Sequence, residues 1–146
     1  MTVSSKFSIA VHVLSCLEYS GREWGQEQMN SQDLATSVDT SPVIIRNLLS
    51  ELIEAKLILS KEGKGGGFRL ARPASRIGLD EVYTAVHSPA ALTHNPRPPH
   101  KPCTVSCGIK QALEPVLEEV DKDILISLKK RTLSEIVDTI IHSQPE

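Results

Sequence analysis

Apolar residues recur at steps of three and four through much of the chain, which is the spacing of one face of an α-helix. The first such run predicts a helix over residues 4–19. A longer run begins near Leu113 and predicts an amphipathic helix that ends near residues 129–131, where three cations suit a helix C-terminus. Pro115 is expected in its first turn or at a kink. The chain is therefore predicted to be mainly α-helical.

Two shorter helices joined by a tight turn are predicted between these long runs, with the proportions of a helix-turn-helix. Ser31 is expected to cap the first. The second is expected to start at Pro42 after Ser41, because proline lacks only an N–H that would be unpaired at that position. LILS and GFRLAR then predict two strands around a glycine-rich loop. This order of elements is that of a winged helix-turn-helix domain with a small β-wing.

Three further segments complete the predicted organisation. IGLDEVYTAVHS predicts another helix, residues 88–103 predict a loop because they hold five of the nine prolines, and TLSE matches a capping box that opens a last short helix. The expected units are a DNA-binding domain over residues 1–87, a Pro-rich loop with Cys103 and Cys107 over residues 88–107, and a dimerisation helix with a terminal short helix over residues 108–146.

The glycine-rich loop lies in KEGKGGGFRLARP, residues 61–73, where glycines stand among cations. A nucleotide-binding loop needs Lys followed by Ser or Thr at a helix start, and a dinucleotide fingerprint needs a different spacing before a helix. Neither is present, and no group of carboxylate, His or Ser residues indicates catalysis, so an enzyme is not predicted. In a wing, glycines would let the backbone approach DNA while Lys61 and Lys64 supply positive charge.

Charge is distributed unevenly along the chain. The formal net charge is −2, which by itself does not indicate a nucleic-acid partner. Residues 41–76, however, hold seven Lys and Arg against three acids, whereas the blocks 1–40, 77–96 and 97–146 each hold more acids than Lys and Arg. A local basic patch of this kind is the footprint of a protein that binds a polyanion.

SPVIIRNLLSELIEAKLI, GKGGGFRLARP and IGLDEVYTAV together resemble the bacterial Rrf-type winged-helix transcription regulators, the group of IscR, NsrR and CymR. The resemblance covers nearly the whole chain, and it is closest to the YwnA-like members without a cluster. It implies a homodimer that binds a palindromic double-stranded DNA operator through two recognition helices and two wings, usually as a repressor. The wide apolar stripe of the long helix independently favours a homodimer, because such a stripe needs a partner surface.

The first turns of the second helix of a helix-turn-helix reach base edges in the major groove. Arg46 is suited to guanine and Asn47 to adenine, although both could instead contact phosphate or solvent. Lys64 is the expected contact at the wing tip, since Glu62 would repel a narrow minor groove. Known family members often carry an acid in place of Arg46 and an arginine in place of Glu62, so their operators do not transfer. The predicted DNA-binding residues are Thr40, Ser41, Val43, Ile44, Arg46, Asn47, Lys61, Lys64, Gly65, Gly66 and Arg69.

Three cysteines are too few for a secreted disulfide framework, which indicates a reducing compartment, the cytoplasm. No apolar stretch approaches the roughly 20 residues that span a bilayer, so no membrane partner is expected. Cys16 is expected to be a small apolar residue of the first helix.

Many family members hold an iron–sulfur cluster with three cysteines after the loop and one further ligand. This chain keeps only Cys103 and Cys107, so neither a cluster nor any other cofactor is expected. A zinc site with His94 and His100 is not expected either, because the spacing matches no known site. Two interpretations of the cysteine pair stay open: a redox switch, favoured by a neighbouring lysine and a helix N-terminus, or unreactive thiols.

The sequence thus predicts a sequence-specific DNA-binding transcriptional regulator without a metal or cofactor. The alternative is a winged helix that serves as a protein-interaction module without binding DNA, which the slightly negative net charge keeps open.

Overall fold

The computed structural model describes residues 5–145 and contains, within that range, six α-helices, one short 3₁₀ helix and a two-stranded sheet. In chain order these are α1 (Lys6–Trp24), α2 (Ser31–Val38), α3 (Pro42–Glu54), β1 (Ile58–Lys61), β2 (Gly67–Leu70), the 3₁₀ helix (Ala74–Arg76), α4 (Leu79–Ala85), α5 (Thr104–Lys129) and α6 (Leu133–Ser143). The predicted winged helix-turn-helix with a long C-terminal helix is confirmed. Residues 1–4 and 146 of the predicted domains lie outside the described residues.

The hydrophobic core lies between α1, α3, α4 and β1, and α6 closes it from the far end of the chain. Leu133 and Val137 of α6 are fully buried, and Arg22 of α1 donates to both Asp138 and Ser134 on α6. The C-terminal helix is therefore part of the same packed unit as the helix-turn-helix, a contact between residues more than 100 positions apart.

Helix α1 is longer than predicted, because it continues through GREW to Trp24 instead of ending near residue 19. The ion pair of Glu18 with Arg22, one helical turn apart at 2.7 Å, supports the added turn. Gly25 then ends the helix in the left-handed conformation, with φ of 63°. A glycine inside a helix lowers its propensity, but tertiary contacts of Arg22 with α6 outweigh that cost here.

Helix caps agree with the sequence at α3 and α6 but not at α2. The Ser41 hydroxyl accepts from the Val43 N–H at 3.2 Å, as expected. The Thr132 hydroxyl accepts from the Glu135 N–H at 3.3 Å, which is one of the two hydrogen bonds of the predicted capping box. The cap of α2 is Asn30 and not Ser31. Asn ranks with Ser as an N-cap, so the sequence pattern alone could not choose between two adjacent candidates.

Helix α5 also starts earlier than predicted, at Thr104, so Pro115 lies well inside it and Cys107 lies in its first turns instead of the loop. Cys103 is the N-cap, and its sulfur accepts from the Ser106 N–H at 3.4 Å. The Ser106 hydroxyl in turn accepts from the His100 N–H at 2.7 Å. Cysteine is not a usual N-cap, so the sequence pattern carried no signal for this start.

The wing is an antiparallel hairpin in which Ile58 pairs with Leu70 and Lys61 with Gly67. Its return strand also pairs with the segment before α2, where Met29 and Phe68 exchange backbone hydrogen bonds at 2.8 and 3.1 Å. This close approach requires glycine next to Phe68, because a Cβ on Gly67 would lie 2.6 Å from the Met29 carbonyl oxygen, and φ there is 141°. The wing is thus fastened to the helix-turn-helix by backbone contacts.

We predict that Gly67→Ala lowers the free energy of unfolding by about 1–3 kcal/mol, because alanine adds both the steric overlap with Met29 and a strained backbone. Urea denaturation followed by circular dichroism measures the change. Gly21→Ala is the matched control: its Cβ would meet nothing within 4 Å in the last turn of α1, so it should raise stability by up to about 0.5–1 kcal/mol. A Gly67→Ala protein as stable as the parent would contradict this account of the wing.

Candidate nucleic-acid interface

Helix α3 has one face in the core and one face in solvent. Its inward residues are Ile45, Leu48, Leu49 and Leu52, all at most 3% exposed. In the first two turns, the outward residues are Val43, Ile44, Arg46 and Asn47. The amphipathic spacing that buries one face therefore places four of the predicted DNA-binding residues on the other face.

The outward side chains of α3 are available for an external partner. Arg46 makes no ion pair and Asn47 makes no side-chain hydrogen bond with any residue of the described range 5–145. Val43 and Ile44 are 55% and 49% exposed, which is high for apolar residues at the start of a helix that packs into a core. The surface thus combines hydrogen-bonding groups with apolar groups, as base edges in the major groove require.

The remaining two predicted residues of this helix form the turn that positions it. The N–H groups of Asp39 and Thr40 both donate to the Ala35 carbonyl, at 2.9 and 3.2 Å, and Asp39 adopts φ of 61°. The Ser41 hydroxyl caps α3, so the structural role of Ser41 is to fix where the helix begins. The helix N-terminus that it defines is exposed and attracts anions such as phosphate.

Helix α3 is held in place from several directions. It packs against α1, α2, α4 and β1, and the Lys6 ammonium of α1 lies 2.7 Å from the Glu51 carboxylate. The Leu57 N–H donates to the Leu52 carbonyl at 3.0 Å and leads the chain from the helix into β1. The exposed face of α3 therefore belongs to a helix that is held from several sides.

The wing carries three exposed cations. Lys61 and Arg69 share one face of the hairpin, because side chains alternate along each strand and the register pairs Leu59 with Arg69 and Lys61 with Gly67. Lys64 lies in the connecting loop. None of the three cations forms an ion pair with another residue in the described part of the chain. Their charge is therefore available to an anionic partner.

Arg72, in the same basic stretch, has a structural role instead. Its guanidinium lies 2.7 Å from Glu81, whose other oxygen accepts from the Gly78 N–H at 2.9 Å and so caps α4. Burial acts to raise the pKa of Glu81, but the Gly78 N–H and the Arg72 guanidinium together lower it. The basic stretch thus contains both exposed cations and one that joins the wing to α4.

The loop glycines meet requirements of the hairpin itself. Gly65 has φ of 76°, and a Cβ on Gly66 would lie 2.2 Å from the Lys61 carbonyl oxygen. We expect these glycines, from the sequence, to let the backbone approach DNA. The geometry of the turn by itself already requires glycine at both positions. Sequence reasoning missed the pairing of Met29 with Phe68, because a single isolated bridge leaves no periodic pattern.

The cysteine pair lies at the start of α5. Cys103 and Cys107 are both exposed, and the Cys107 N–H donates to the Cys103 carbonyl at 3.1 Å. His94 is engaged elsewhere, with its ring nitrogen 2.7 Å from the Glu114 carboxylate. Among residues 5–145 no three His, Cys, Asp or Glu side chains form a group that could hold a metal ion. This donor set does not fit an iron–sulfur cluster, which needs thiolate-rich ligation.

Helix α5 exposes an apolar face in its N-terminal half. None of its residues is buried within the described chain. In this half the exposed apolar residues follow steps of four and three and are Val105, Ile109, Leu113 and Val116, while Leu125 and Ile126 are exposed in the other half. Leu117, Val120, Ile124 and Leu128 lie on the neighbouring face and are half-buried where α5 packs against α4.

No described helix of the protein is both long and apolar enough to cross a membrane.

Comparison with known proteins agrees with this geometry. A model of the Rrf2 family, described as an iron-dependent transcriptional regulator, matches residues 3–139. YwnA of Bacillus subtilis (strain 168), assigned as an HTH-type transcriptional regulator, is 29% identical over 136 residues, which cover 93% of this chain and 97% of YwnA.

Solved structures show the same similarity. A crystal structure assigned as a DNA-binding protein is 30% identical with a TM-score of 0.67, covering 90% of this chain and 97% of its own. IscR of T. potens, at 20% identity, covers 100% of this chain and 93% of its own with a TM-score of 0.71, which supports the fold. YwnA is described as a transcriptional regulator and the first of these structures as a DNA-binding protein, and neither is described as an enzyme. The chain belongs to the Rrf2 family of transcriptional regulators.

Proposed function

We propose that the protein is a homodimer that binds a palindromic double-stranded DNA operator and represses transcription there. The observation that carries the proposal is the exposed start of α3, where Arg46 and Asn47 have no side-chain partner among the described residues. In this arrangement Arg46 reads guanine and Asn47 reads adenine, while Val43 and Ile44 contact thymine methyl groups. Thr40 and Ser41 hold the phosphate backbone at the helix N-terminus.

The wing supplies the second contact. Lys61, Lys64 and Arg69 neutralise phosphates, and the loop backbone at Gly65 and Gly66 lies close to the DNA because neither residue has a side chain. Phosphate contacts fix the register of the protein on the duplex, and the α3 contacts supply sequence specificity. The proposal assigns residues 1–87 to this DNA-binding unit, with α6 packed against it.

The exposed face of α5 supports the homodimer. A twofold dimer would bury the apolar residues on residues 105–116 against a second copy and would place two α3 helices on one side of the assembly. Two symmetry-related α3 helices that bind one duplex require a palindromic site with half-sites about one helical turn apart. The loop predicted over residues 88–107 ends at Cys103, so the proposed dimerisation part begins with α5 at Thr104 instead of at residue 108.

Selection of genomic DNA fragments by the purified protein, followed by sequencing, tests the function directly. Enrichment of fragments with a shared palindrome, and a mobility shift that weakens steeply as salt rises, are the expected results. No enriched fragment at any salt concentration would favour the alternative of a protein-interaction module.

We predict that Arg46→Ala weakens binding to the selected operator by about 5- to 150-fold, which corresponds to about 1–3 kcal/mol for one base-reading contact. Fluorescence anisotropy with operator and scrambled duplexes measures the change, and binding to the scrambled duplex should stay the same. Lys122→Ala removes the same charge from exposed α5 and should change neither affinity.

Lys64→Ala provides the contrast within that assay. It should weaken operator and scrambled duplex alike and reduce the slope of log K against log salt by about 0.9, the value for one phosphate contact. Equal losses on both duplexes for Arg46→Ala would reassign that residue to the backbone.

We predict that Ile109→Glu dissociates the dimer and raises its dissociation constant by more than about tenfold, because a carboxylate would be buried in an apolar interface. Sedimentation velocity at graded concentration measures the mass. Gln111→Glu lies on the opposite side of α5 and should leave the assembly unchanged. A dimer that withstands Ile109→Glu would place the interface on another surface.

The cysteine pair is proposed as a redox switch, supported by the exposure of both thiols at a helix N-terminus. We predict that hydrogen peroxide lowers operator affinity in the parent and in Cys16→Ser, but not when Cys103→Ser and Cys107→Ser are combined. Anisotropy titrations before and after oxidation measure the effect. A double variant that responds like the parent, or a parent that does not respond, would reject the switch.

A further inference from the structure

A pocket of about 580 Å³ opens between α1, α2 and the C-terminal end of α6. Its lining residues include none of the proposed DNA contacts and neither residue of the cysteine pair. Its volume lies within the range of small-molecule sites, about 300–1,000 Å³. The pocket is half-open, so a ligand could enter without a change in fold.

One wall of the pocket is aromatic and apolar. Tyr19 and Trp24 meet edge to face, with ring centroids 5.5 Å apart, and Met29 and Ile140 complete the wall. Trp24 is 65% exposed although it is the largest apolar side chain of the protein. An aromatic ligand would cover this surface and would gain ring contacts in the same step.

Another part of the pocket lining is polar. The Ser37 hydroxyl lies 3.0 Å from the His12 ring nitrogen and 3.3 Å from the Cys16 sulfur. Ser15 also lines the pocket, is only 6% exposed, and its hydroxyl has no hydrogen-bond partner. A buried hydroxyl without a hydrogen-bond partner is unfavourable, so a ligand group that satisfied it would be favoured.

The charge of the lining sets the charge of the ligand. Asp33 contributes a carboxylate, and no Lys or Arg stands among the described residues that line the pocket. An anion would therefore meet repulsion without a compensating cation. Burial raises the pKa of the Cys16 thiol, partly opposed by its hydrogen bond to Ser37, which favours the neutral thiol and a reversible ligand over a covalent one.

We propose that this pocket binds a small aromatic molecule that is neutral or cationic and carries a hydrogen-bonding group for the His12, Ser15 and Ser37 cluster. Its walls are α1 and α2, and α2 packs directly against the proposed recognition helix α3. The proposal concerns binding alone and does not require that the protein bind DNA.

Three isosteric probes test the proposal on the full chain: benzamide, benzamidinium and benzoate. The protein has a single tryptophan, so the Trp24 indole N–H gives one resolved signal in a ¹H–¹⁵N spectrum. Benzamide and benzamidinium should produce saturable shifts of that signal and of the Ser37 and Cys16 amides. Benzoate should bind at least tenfold more weakly. Absence of saturable shifts with the first two probes, or equal affinity for benzoate, would overturn the proposal.

Two variants sharpen the test. Ser37→Phe should fill the pocket and abolish the shifts caused by benzamide, whereas Gln32→Phe, exposed on the same helix but outside the lining, should preserve them. Asp33→Asn removes the repulsion without removing a side-chain hydrogen bond, so it should raise the affinity for benzoate several-fold and leave that for benzamide unchanged. Binding that is insensitive to both pocket variants would reject this site, including the case in which a second copy of the chain covers it.

Discussion

Burial of one face of α3 is the constraint on which the rest of the structure depends. Ile45, Leu48, Leu49 and Leu52 are in the core, and full burial of such side chains contributes about 1.5–3 kcal/mol each, so together they rival the net stability of a small domain. Helical geometry then leaves the opposite face in solvent. The same residues that stabilise the fold therefore fix which side chains face outward, and this fixed presentation is what a DNA-reading helix requires.

The wing depends on a second constraint, which acts on the backbone. Its return strand approaches the segment before α2 so closely that only glycine fits at position 67, and the loop turns so tightly that only glycine fits at position 66. The glycines therefore link the wing to the helix-turn-helix before any contact with DNA is considered. Cations from the same stretch divide accordingly: Arg72 is paired with Glu81 of α4, whereas Lys61, Lys64 and Arg69 form no ion pair among the described residues.

Helices α5 and α6 follow the helix-turn-helix late in the sequence: α6 completes its packed core, and α5 extends beyond it. Helix α6 returns to the core through Leu133 and Val137, so the domain includes residues from both ends of the sequence. Helix α5 instead shows an unpartnered apolar face, which is consistent with assembly of two copies. The pocket between α1, α2 and α6 forms because α6 packs back against α1. It lies beside α2, which packs against α3.

The sequence by itself determined the order of elements, the start of α3 at Ser41 and Pro42, its buried face and the basic wing. These features depend on local spacing and on caps that act within one turn, so they can be read without the fold. The tertiary structure alone decided the extension of α1 to Trp24, the start of α5 at Thr104 and the pairing of Met29 with Phe68. It also decided that Arg72 has a structural role and that the hydroxyls of Ser15 and Ser37 line a pocket. Most of these depend on contacts between residues far apart in the chain, of which a local pattern carries no record. The start of α5 depends instead on a local cap by Cys103, a residue type that ordinary cap patterns do not indicate.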